Sequence, residues 1–151
     1  MSVRMSEDEA WDMLAHATTG ILTTLRRDGR PVAMPVWFVA LDHRIYVSTR
    51  GKKVDRVRND PRCSFLVEDG ERWAELRAVH LDCRAVELDA SDERRPVIAR
   101  AIAEKYAGLR SQPQEMPDAT REHYERTMGA VLEVVPEGKT LTWDNRKLGV
   151  Q

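Results

Sequence analysis

The stretch RIYVSTRGKKVDRVRNDPR, residues 44–62, carries the strongest structural signal in the chain. It predicts a strand, a glycine turn that carries Lys52 and Lys53, and a short helix that ends at Asp60-Pro61. Backbone N–H groups of the turn, the positive end of the helix dipole and two ammonium groups can together hold a phosphate. Charge alone favours a solvated basic helix instead. Seven cations lie in this stretch, although the whole chain has a formal net charge of -1: Arg44, Arg50, Lys52, Lys53, Arg56, Arg58 and Arg62.

Length and composition limit the class of protein. A chain of 151 residues with 42% hydrophobic and 32% charged residues is expected to form one domain, residues 1–151, with a sizeable core. No apolar run approaches the roughly 20 residues of a membrane-spanning helix, so we expect no membrane contact. A pI of about 6.4 argues against a dedicated nucleic-acid binder. The polar N-terminus and the presence of only two cysteines indicate a reducing, cytoplasmic location.

Side chains that often carry chemistry are isolated from one another in this sequence. Cys63 and Cys83 are interpreted as small strand residues rather than reactive thiols. Ser48 has no neighbouring His/Asp arrangement, so a nucleophilic hydrolase fits poorly. His80 is interpreted as a structural hydrogen-bonding residue rather than a proton donor. Metal-ligand spacing is absent from the four histidines, which are His16, His43, His80 and His123.

The rest of the chain predicts a small antiparallel barrel with peripheral helices, a mainly β, α+β fold of six or seven strands. Ser6 and Glu9 form a capping box before the first helix, and the phase slip near Ala85 predicts a β-bulge. Ser91 is expected to cap the third helix. Helices are predicted at residues 7–16, 52–60, 92–106 and 118–127, and strands at residues 21–27, 31–41, 44–49, 63–68, 72–88, 130–135 and 140–143.

Residues 31–41, PVAMPVWFVAL, are apolar throughout, so neither face of this strand is adapted to water. Something must therefore cover the outer face, which carries residues such as Trp37 or Phe38. A helix of the same chain is one possible cover, and a second copy of the chain is the one we prefer, because large exposed apolar patches are rare on monomers. This strand thus predicts a homodimer.

The order of these motifs resembles the flavin- and deazaflavin-binding split β-barrel family typified by pyridoxamine 5′-phosphate oxidase. The resemblance covers nearly the whole chain, through GILTTLRRDGRPVAMPVWFV, the stretch 44–62, CSFLVEDGERWAELRAVHLDCRAVEL and TWDNRKLG. It implies a split β-barrel homodimer that binds FMN or the deazaflavin coenzyme F420 at the dimer interface. It also makes a phosphate role for Lys52 and Lys53 the favoured interpretation.

The resemblance assigns site residues position by position. Lys53 matches the family's phosphate lysine, and Lys52 matches the basic residue before it. Residues 46–49 match the strand end that contacts the ring and ribityl chain, and residues 34–37 match the strand whose backbone faces the ring edge. Arg77 lies near a third strand contact, and residues near the C-terminus resemble those that reach the site from the neighbouring subunit. The implied cofactor-binding set is Met34, Pro35, Val36, Trp37, Tyr46, Val47, Ser48, Thr49, Lys52, Lys53, Arg77, Trp143, Arg146 and Lys147.

The resemblance implies an oxidoreductase that transfers hydride between the bound cofactor and a small conjugated or aromatic substrate. The cofactor does the difficult chemistry in such enzymes, so no catalytic side chain is expected. The segment that completes the substrate site in true pyridoxamine phosphate oxidases is mostly absent, which argues against a vitamin B6 ester as substrate. The alternative is a non-catalytic protein of the same fold that binds or sequesters a flavin, heme or related ligand. Arg50, Arg56 and Arg58 either meet the acidic tail of the deazaflavin or form a solvated helix face.

Overall fold

The computed structural model describes residues 2–126 and 129–150, apart from the side chain of Glu125. The described part contains four α-helices and seven β-strands. The helices are α1 Glu7–His16, α2 Lys52–Asn59, α3 Arg94–Lys105 and α4 Asp118–Arg126. The strands are β1 Gly20–Leu25, β2 Pro31–Val36, β3 Val39–Leu41, β4 Arg44–Thr49, β5 Arg62–Asp69, β6 Arg77–Glu87 and β7 Ala130–Asp144.

The seven strands form one antiparallel sheet in the order β2-β1-β5-β6-β7-β4-β3. The two edge strands, β2 and β3, follow each other directly in the chain. The sheet must therefore curl until its edges approach each other, which makes it a half-barrel. This confirms the predicted α+β fold of antiparallel strands with peripheral helices.

The single predicted strand 31–41 is wrong, because the chain breaks it at Trp37-Phe38. β2 pairs with β1 at one edge of the sheet, whereas β3 pairs with β4 at the other edge. Phe38 turns into the barrel and is fully buried, and the ring of Trp37 stacks on Tyr106 at 4.2 Å with an angle of 6°. Tyr106 directly follows α3, so the same chain covers Phe38 and one face of Trp37. Trp37 stays 37% exposed, and a second copy of the chain remains the predicted cover for its other face.

The two predicted strands 130–135 and 140–143 are in fact one strand, β7. Both halves pair with the same partner, β6, so the predicted turn at Pro136-Glu137-Gly138 becomes a bulge. The register jumps between Leu81 opposite Thr140 and Cys83 opposite Pro136, and Gly138 has a φ of 89° there. The predicted bulge near Ala85 is therefore misplaced by a few residues, and its extra residues lie on β7.

Smaller differences occur at element ends, where local signals are weakest. β6 begins at Arg77, after a short 3₁₀ turn over Trp73–Glu75, instead of at residue 72. α3 has Glu93 as its N-cap rather than Ser91. The capping box of Ser6 and Glu9 at α1 is present as predicted. The predicted end of α4 at Thr127 lies outside the described residues.

Two apolar clusters stabilise the fold. The larger fills the curled sheet and is closed at one end by α1, with Leu14, Leu22 and Phe65 among its fully buried members. The smaller lies between the sheet and α3, where Tyr46 packs with Tyr106 and the apolar face of the helix. In the described part of the chain, no helix is long and apolar enough to cross a membrane.

Candidate functional site

The start of α2 is the most distinctive feature of the site. Gly51 precedes the helix with a φ of 77°, in the region that favours glycine, and it has no side chain to cap the helix. The first N–H groups of the helix therefore lack a side-chain acceptor. Lys52 is exposed and Lys53 half-buried, and across residues 2–126 and 129–150 neither forms a hydrogen bond or an ion pair. An uncapped helix start with two unpaired ammonium groups is suited to an anion.

The arginines around this lysine pair have partners within the chain. Nε of Arg56 donates to Oγ1 of the buried Thr24 at 2.7 Å, which attaches α2 to β1. Arg58 donates hydrogen bonds to both carboxylate oxygens of Glu87, at 2.7 and 2.8 Å, and this contact raises the pKa of Arg58. Arg50 donates to the carbonyl of Tyr124 at 2.7 Å and lies 4.8 Å from its ring centre. These contacts attach α2 to β1 and β6, and they attach α4 to the turn before α2. The sequence had suggested only two roles for Arg50, Arg56 and Arg58, binding the deazaflavin tail or forming a solvated helix face.

The end of β4 delivers the chain to the lysine pair, but its predicted site residues differ in accessibility. Ser48 is exposed and Thr49 half-buried, so both can offer hydroxyl groups beside the helix start. Val47 is fully buried inside the barrel. Tyr46 is 6% exposed and lies beneath α3. The side chains of Val47 and Tyr46 are thus part of the protein core and are not available to a ligand.

A buried carboxylate that the sequence interpretation missed holds Tyr46 in place. Glu133 is 7% exposed and lies directly opposite Tyr46 in the β4–β7 ladder. It accepts hydrogen bonds from the Tyr46 hydroxyl at 3.0 Å, from Arg44 at 3.2 Å and from Arg94 of α3. Arg94 also binds Asp92 through two nitrogens, which lowers the pKa of Asp92 to about 2. This network joins α3 to the strand that leads to the lysine pair.

The predicted ring-edge residues of β2 are largely open to solvent. Met34 is 39% and Trp37 37% exposed, whereas Val36 is buried. A shallow cavity of about 330 Å³ lies between Thr19 and residues 35–37. Val36 pairs with Gly20 at the start of β1, four residues from the Thr24 that holds α2. This separation is about 13 Å along β1, at roughly 3.3 Å per residue.

The turn after β2 contains a second group that the sequence interpretation missed. The Tyr106 hydroxyl accepts from the backbone N–H of Phe38 at 2.8 Å, and the carbonyls of Thr18 and Phe38 lie 2.7 and 3.0 Å from it. Nζ of Lys105 donates to the same Phe38 carbonyl at 3.0 Å and lies 3.9 Å from the centre of the Phe38 ring. Burial of the amine lowers the pKa of Lys105 to about 8. These contacts fix the corner at which the chain changes sheet edges.

The predicted C-terminal contacts lie far from the lysine pair of the same chain. Arg146 binds both carboxylate oxygens of the buried Asp144, at 2.8 and 2.6 Å, and Lys147 binds Glu9 at 2.7 Å. β7 runs from Ala130, opposite Thr49, to Asp144, a distance of about 40 Å for a strand of this length. Arg77, paired with Asp69 at 2.7 Å, lies at that far end with Trp143, which is 42% exposed. One chain therefore cannot bring both groups of residues to one ligand.

A row of mostly apolar residues crosses the outer face of the sheet. Register places Pro35, Ile21, Leu66, His80 and Leu141 opposite one another on neighbouring strands, and paired residues share a face. Leu141 is 45% exposed, and Ile21 and Leu66 are half-buried. Apolar surface of this extent on a sheet favours contact with another protein surface.

His80, the one polar residue of this row, lacks the hydrogen bond expected of a structural histidine. Its Nδ1 is buried without a hydrogen-bond partner, and the nearest carboxylate oxygen, of Asp82, is 4.0 Å away.

Cys63 and Cys83 lie opposite each other on β5 and β6, and burial raises the pKa of both thiols, that of Cys63 to about 12. In the described part of the chain, no cluster of three or more potential metal ligands occurs.

Comparisons with known proteins agree with this architecture. The model of the pyridoxamine 5′-phosphate oxidase family matches residues 6–135. A conserved hypothetical protein from Mycobacterium tuberculosis is similar in structure, with a TM-score of 0.82 and 28% identity over 99% of this chain and 91% of that one. Comparison with curated proteins gives no significant match.

Two more distant structures share the fold alone. One is a FAD-binding protein from Mesorhizobium loti, with a TM-score of 0.68 and 20% identity over 91% of this chain and 92% of that one. The other is the heme storage protein HutZ from Vibrio cholerae, with a TM-score of 0.69 and 15% identity over 95% of this chain and 96% of that one.

Proposed function

This chain belongs to the pyridoxamine 5′-phosphate oxidase family, and we propose that it is a flavin- or deazaflavin-dependent oxidoreductase. In this proposal it binds FMN or coenzyme F420 and transfers hydride between that cofactor and a small conjugated or aromatic substrate. The observation that carries the proposal is the unpaired Lys52–Lys53 couple at the uncapped start of α2. The fold similarity to a FAD-binding protein is compatible with a flavin ligand.

The residues at the start of α2 fit the phosphate of such a cofactor. Burying or immobilising two ammonium groups near each other is unfavourable without an anion, and the two lysines have no carboxylate partner in the described part of the chain. Lys52 and Lys53 would bind the phosphate together with the free N–H groups of the first helical turn. The hydroxyls of Ser48 and Thr49 would donate hydrogen bonds to the ribityl chain of the cofactor, next to the phosphate.

The ring would lie toward β2. A ligand with a spacer between its phosphate and its ring would suit this arrangement, because the lysine pair lies at the start of α2 whereas residues 34–37 lie at the end of β2. Backbone groups of residues 34–37 would orient the ring edge, and Trp37, held by its stack on Tyr106, would exclude water from one side. The bound cofactor supplies the hydride-carrying ring, and the protein supplies position and electrostatics.

A second copy of the chain would complete the site. Trp143, Arg146 and Lys147 lie at the far end of β7, so they can reach the cofactor only from a neighbouring protomer. The apolar row that crosses the outer face through Leu66 and Leu141 is a suitable surface for this contact. We therefore propose a homodimer with two equivalent cofactor sites, as a two-fold interface requires.

The lysine assignment is tested by titrating the purified protein with FMN, FAD and F420 and following absorbance, fluorescence and Tm. We expect a rise in Tm with one of these ligands and its loss in the Lys53→Gln variant. Lys139→Gln is the control, because it also removes a lysine that forms no ion pair among the described residues, but Lys139 is more exposed than Lys53 and lies on the β7 bulge. Equal cofactor affinity of wild type and Lys53→Gln would overturn the assignment.

The dimeric site is tested by mixing two defective variants, Lys53→Gln and Trp143→Ala. A mixed dimer contains one site with both defects and one intact site, so random exchange should restore about a quarter of the binding sites. No restoration, with exchange of subunits verified by mass spectrometry, would show that the site lies within one chain. Turnover of the reduced cofactor with a panel of acceptors then separates an oxidoreductase from a protein that binds the ligand without catalysis.

A further inference from the structure

The loop between β5 and β6, residues 70–76, holds an exposed tryptophan in a fixed position. Trp73 is 63% exposed, although its backbone is well anchored. Its carbonyl accepts a hydrogen bond from Nδ2 of Asn145 at 2.7 Å. Gly70 folds the loop tightly, since a Cβ at that position would lie 2.6 Å from the carbonyl oxygen of Glu75. The loop backbone is thus held in place, and most of the indole is left open to a partner.

Asn145 ties this loop to the C-terminal segment that we propose to reach the neighbouring protomer. It directly follows β7, and Trp143 lies two residues before it. Side chains two residues apart on a strand share a face, so Trp143 lies on the same face of β7 as Leu141. Leu141 belongs to the apolar row on the outer face of the sheet. Trp73 and Trp143 are therefore at one end of the molecule, beside the surface proposed for the dimer contact.

The three cations predicted to bind the cofactor from this end are already paired within their own chain. Arg146 binds both carboxylate oxygens of the buried Asp144. Lys147 binds Glu9 at 2.7 Å, and Arg77 lies 2.7 Å from a carboxylate oxygen of β5. If one of these cations turned to another anion, its carboxylate would lose that partner, which is costly for a buried group. These residues therefore offer a ligand less than the exposed aromatic rings beside them do.

We propose that Trp73, together with Trp143, covers one face of the cofactor ring in the site of the neighbouring protomer. Because it requires a cofactor site at a dimer interface, this role of Trp73 rests on the proposed function. Neither indole stacks on another ring within residues 2–126 and 129–150, so both can take a planar partner. Indoles bring a large, rigid surface that stacks on flat conjugated rings. Trp37 of the protomer that supplies the lysine pair would flank the same ring from β2.

Trp73→Ala and Trp73→Phe test this role, with FMN and F420 as the probes. Trp73→Ala should weaken binding of the probe roughly threefold to tenfold, because a stacked aromatic contact is lost. It should also raise the emission of the bound probe, since an indole in contact with an excited flavin or deazaflavin ring quenches it by electron transfer. Trp73→Phe keeps a flat ring and should lose less affinity. Val97→Ala is the control, because it truncates an apolar side chain that is also 63% exposed, on α3, and should change neither quantity.

Mixing Trp73→Ala with Lys53→Gln shows which protomer supplies the indole. After random exchange of subunits, the mixed dimer has one site with Lys53 from one chain and Trp73 from the other, so about half of the occupied sites should regain the quenched emission.

Three results would overturn this role. If the wild type binds neither FMN nor F420, the proposed function fails and the role of Trp73 fails with it. If the wild type binds a probe, but Trp73→Ala keeps its affinity and emission or mixing restores no quenching, the role of Trp73 alone fails. If light scattering shows that Trp73→Ala dissociates the dimer while the emission of the remaining dimers is unchanged, Trp73 is an interface contact and does not touch the ring.

Discussion

The hydroxyl of Tyr46 donates a hydrogen bond to Oε2 of Glu133, 3.0 Å away, across the ladder between β4 and β7. Both residues are less than 10% exposed, so neither polar group can turn to bulk water. The same carboxylate also accepts from Arg44 and from Arg94 of α3. This single carboxylate therefore couples three elements, and the strand that it holds leads directly to the lysine pair.

Replacing the buried Glu133 should destabilise the protein more than breaking an exposed ion pair does. Glu133→Ala leaves the buried Tyr46 hydroxyl without an acceptor, and an unsatisfied buried group costs about 2 kcal/mol. Glu133→Gln keeps one acceptor oxygen and should cost roughly half as much. Urea unfolding measures both. The control is Arg84→Ala, which breaks an exposed pair with Glu137 and should cost at most about 0.5 kcal/mol. Equal losses in Glu133→Ala and Arg84→Ala would contradict this account.

Lys105 should make the free energy of unfolding depend on pH between about 8 and 10.5. Its pKa is lowered from 10.5 to about 8 by burial, so the folded state releases a proton at a lower pH than the unfolded state does. Between these values the unfolded chain binds more protons, and stability rises with pH. Below pH 8 both states hold the proton, and the cost of burying the charge is fully present.

The matching variant is Lys105→Met, which keeps the length of the side chain and removes the titrating group. Relative to this variant, the wild type should gain stability as the pH rises from 7.5 to 10, measured by urea unfolding at each pH. Tyrosines and other lysines titrate in both proteins, so they cancel in the difference. If the difference in unfolding free energy between wild type and variant stays constant or falls as the pH rises, burial does not lower the pKa of Lys105.

Gly20 should not tolerate any side chain. A Cβ at this position would lie 2.1 Å from Cζ of Phe65, a fully buried ring that cannot move away. Overpacking of this kind costs about 2 kcal/mol, and we expect Gly20→Ala to lose that amount in urea unfolding. Gly129→Ala is the control, because its Cβ would meet only the Arg50 guanidinium at an ordinary 3.6 Å. Adding Phe65→Leu to Gly20→Ala should recover part of the loss, and a double variant less stable than the sum of the two would exclude the clash.

Local sequence signals predicted most helices and strands of this fold. Where strands break or continue depends on strand pairing, which local signals do not contain. The capping box of Ser6 and Glu9 and the helix after Gly51 depend on neighbouring residues, and both are present. The break at Trp37-Phe38 depends on β2 and β3 joining opposite edges of the sheet, which no local pattern encodes. The continuity of β7 likewise depends on its pairing with β6 over both halves.

In the candidate site, too, groups of consecutive residues were predicted, and contacts between residues far apart in the sequence were missed. The lysine pair was predicted because its residues are consecutive, and it lies at a helix start as expected. The apolar run AVLEVV contains Glu133, and a charge inside such a run is a signal for a buried network. Its partners Arg94 and Tyr46 are 39 and 87 residues away, so the sequence could not identify them. Tyr106 similarly reaches Phe38 across 68 residues.

Arg146 should stabilise the protein at neutral pH and lose this effect in acid. It binds both carboxylate oxygens of Asp144, which is 4% exposed, and these contacts lower the pKa of Asp144 from its usual 3.8. A carboxylate whose folded pKa is lowered contributes stability above its unfolded pKa and loses it as the pH falls through the folded pKa. Arg146→Gln should therefore cost about 1–2 kcal/mol at pH 7, as expected for a partly buried charge-assisted pair.

The cost of Arg146→Gln should shrink as the pH falls below about 4, because the unfolded chain then binds a proton at Asp144 more readily than the folded wild type does. The advantage of the wild type is gone once the pH has passed the lowered folded pKa. Arg62→Gln provides the comparison, since Arg62 binds Asp60 with the same two-nitrogen geometry but its side chain is 72% exposed. Water screens that exposed pair, so its removal should change stability much less. Urea unfolding at pH 7, 5 and 3 distinguishes the two. If both variants lose the same stability at every pH, burial of Asp144 does not strengthen its pair, and the far end of β7 is held by packing alone.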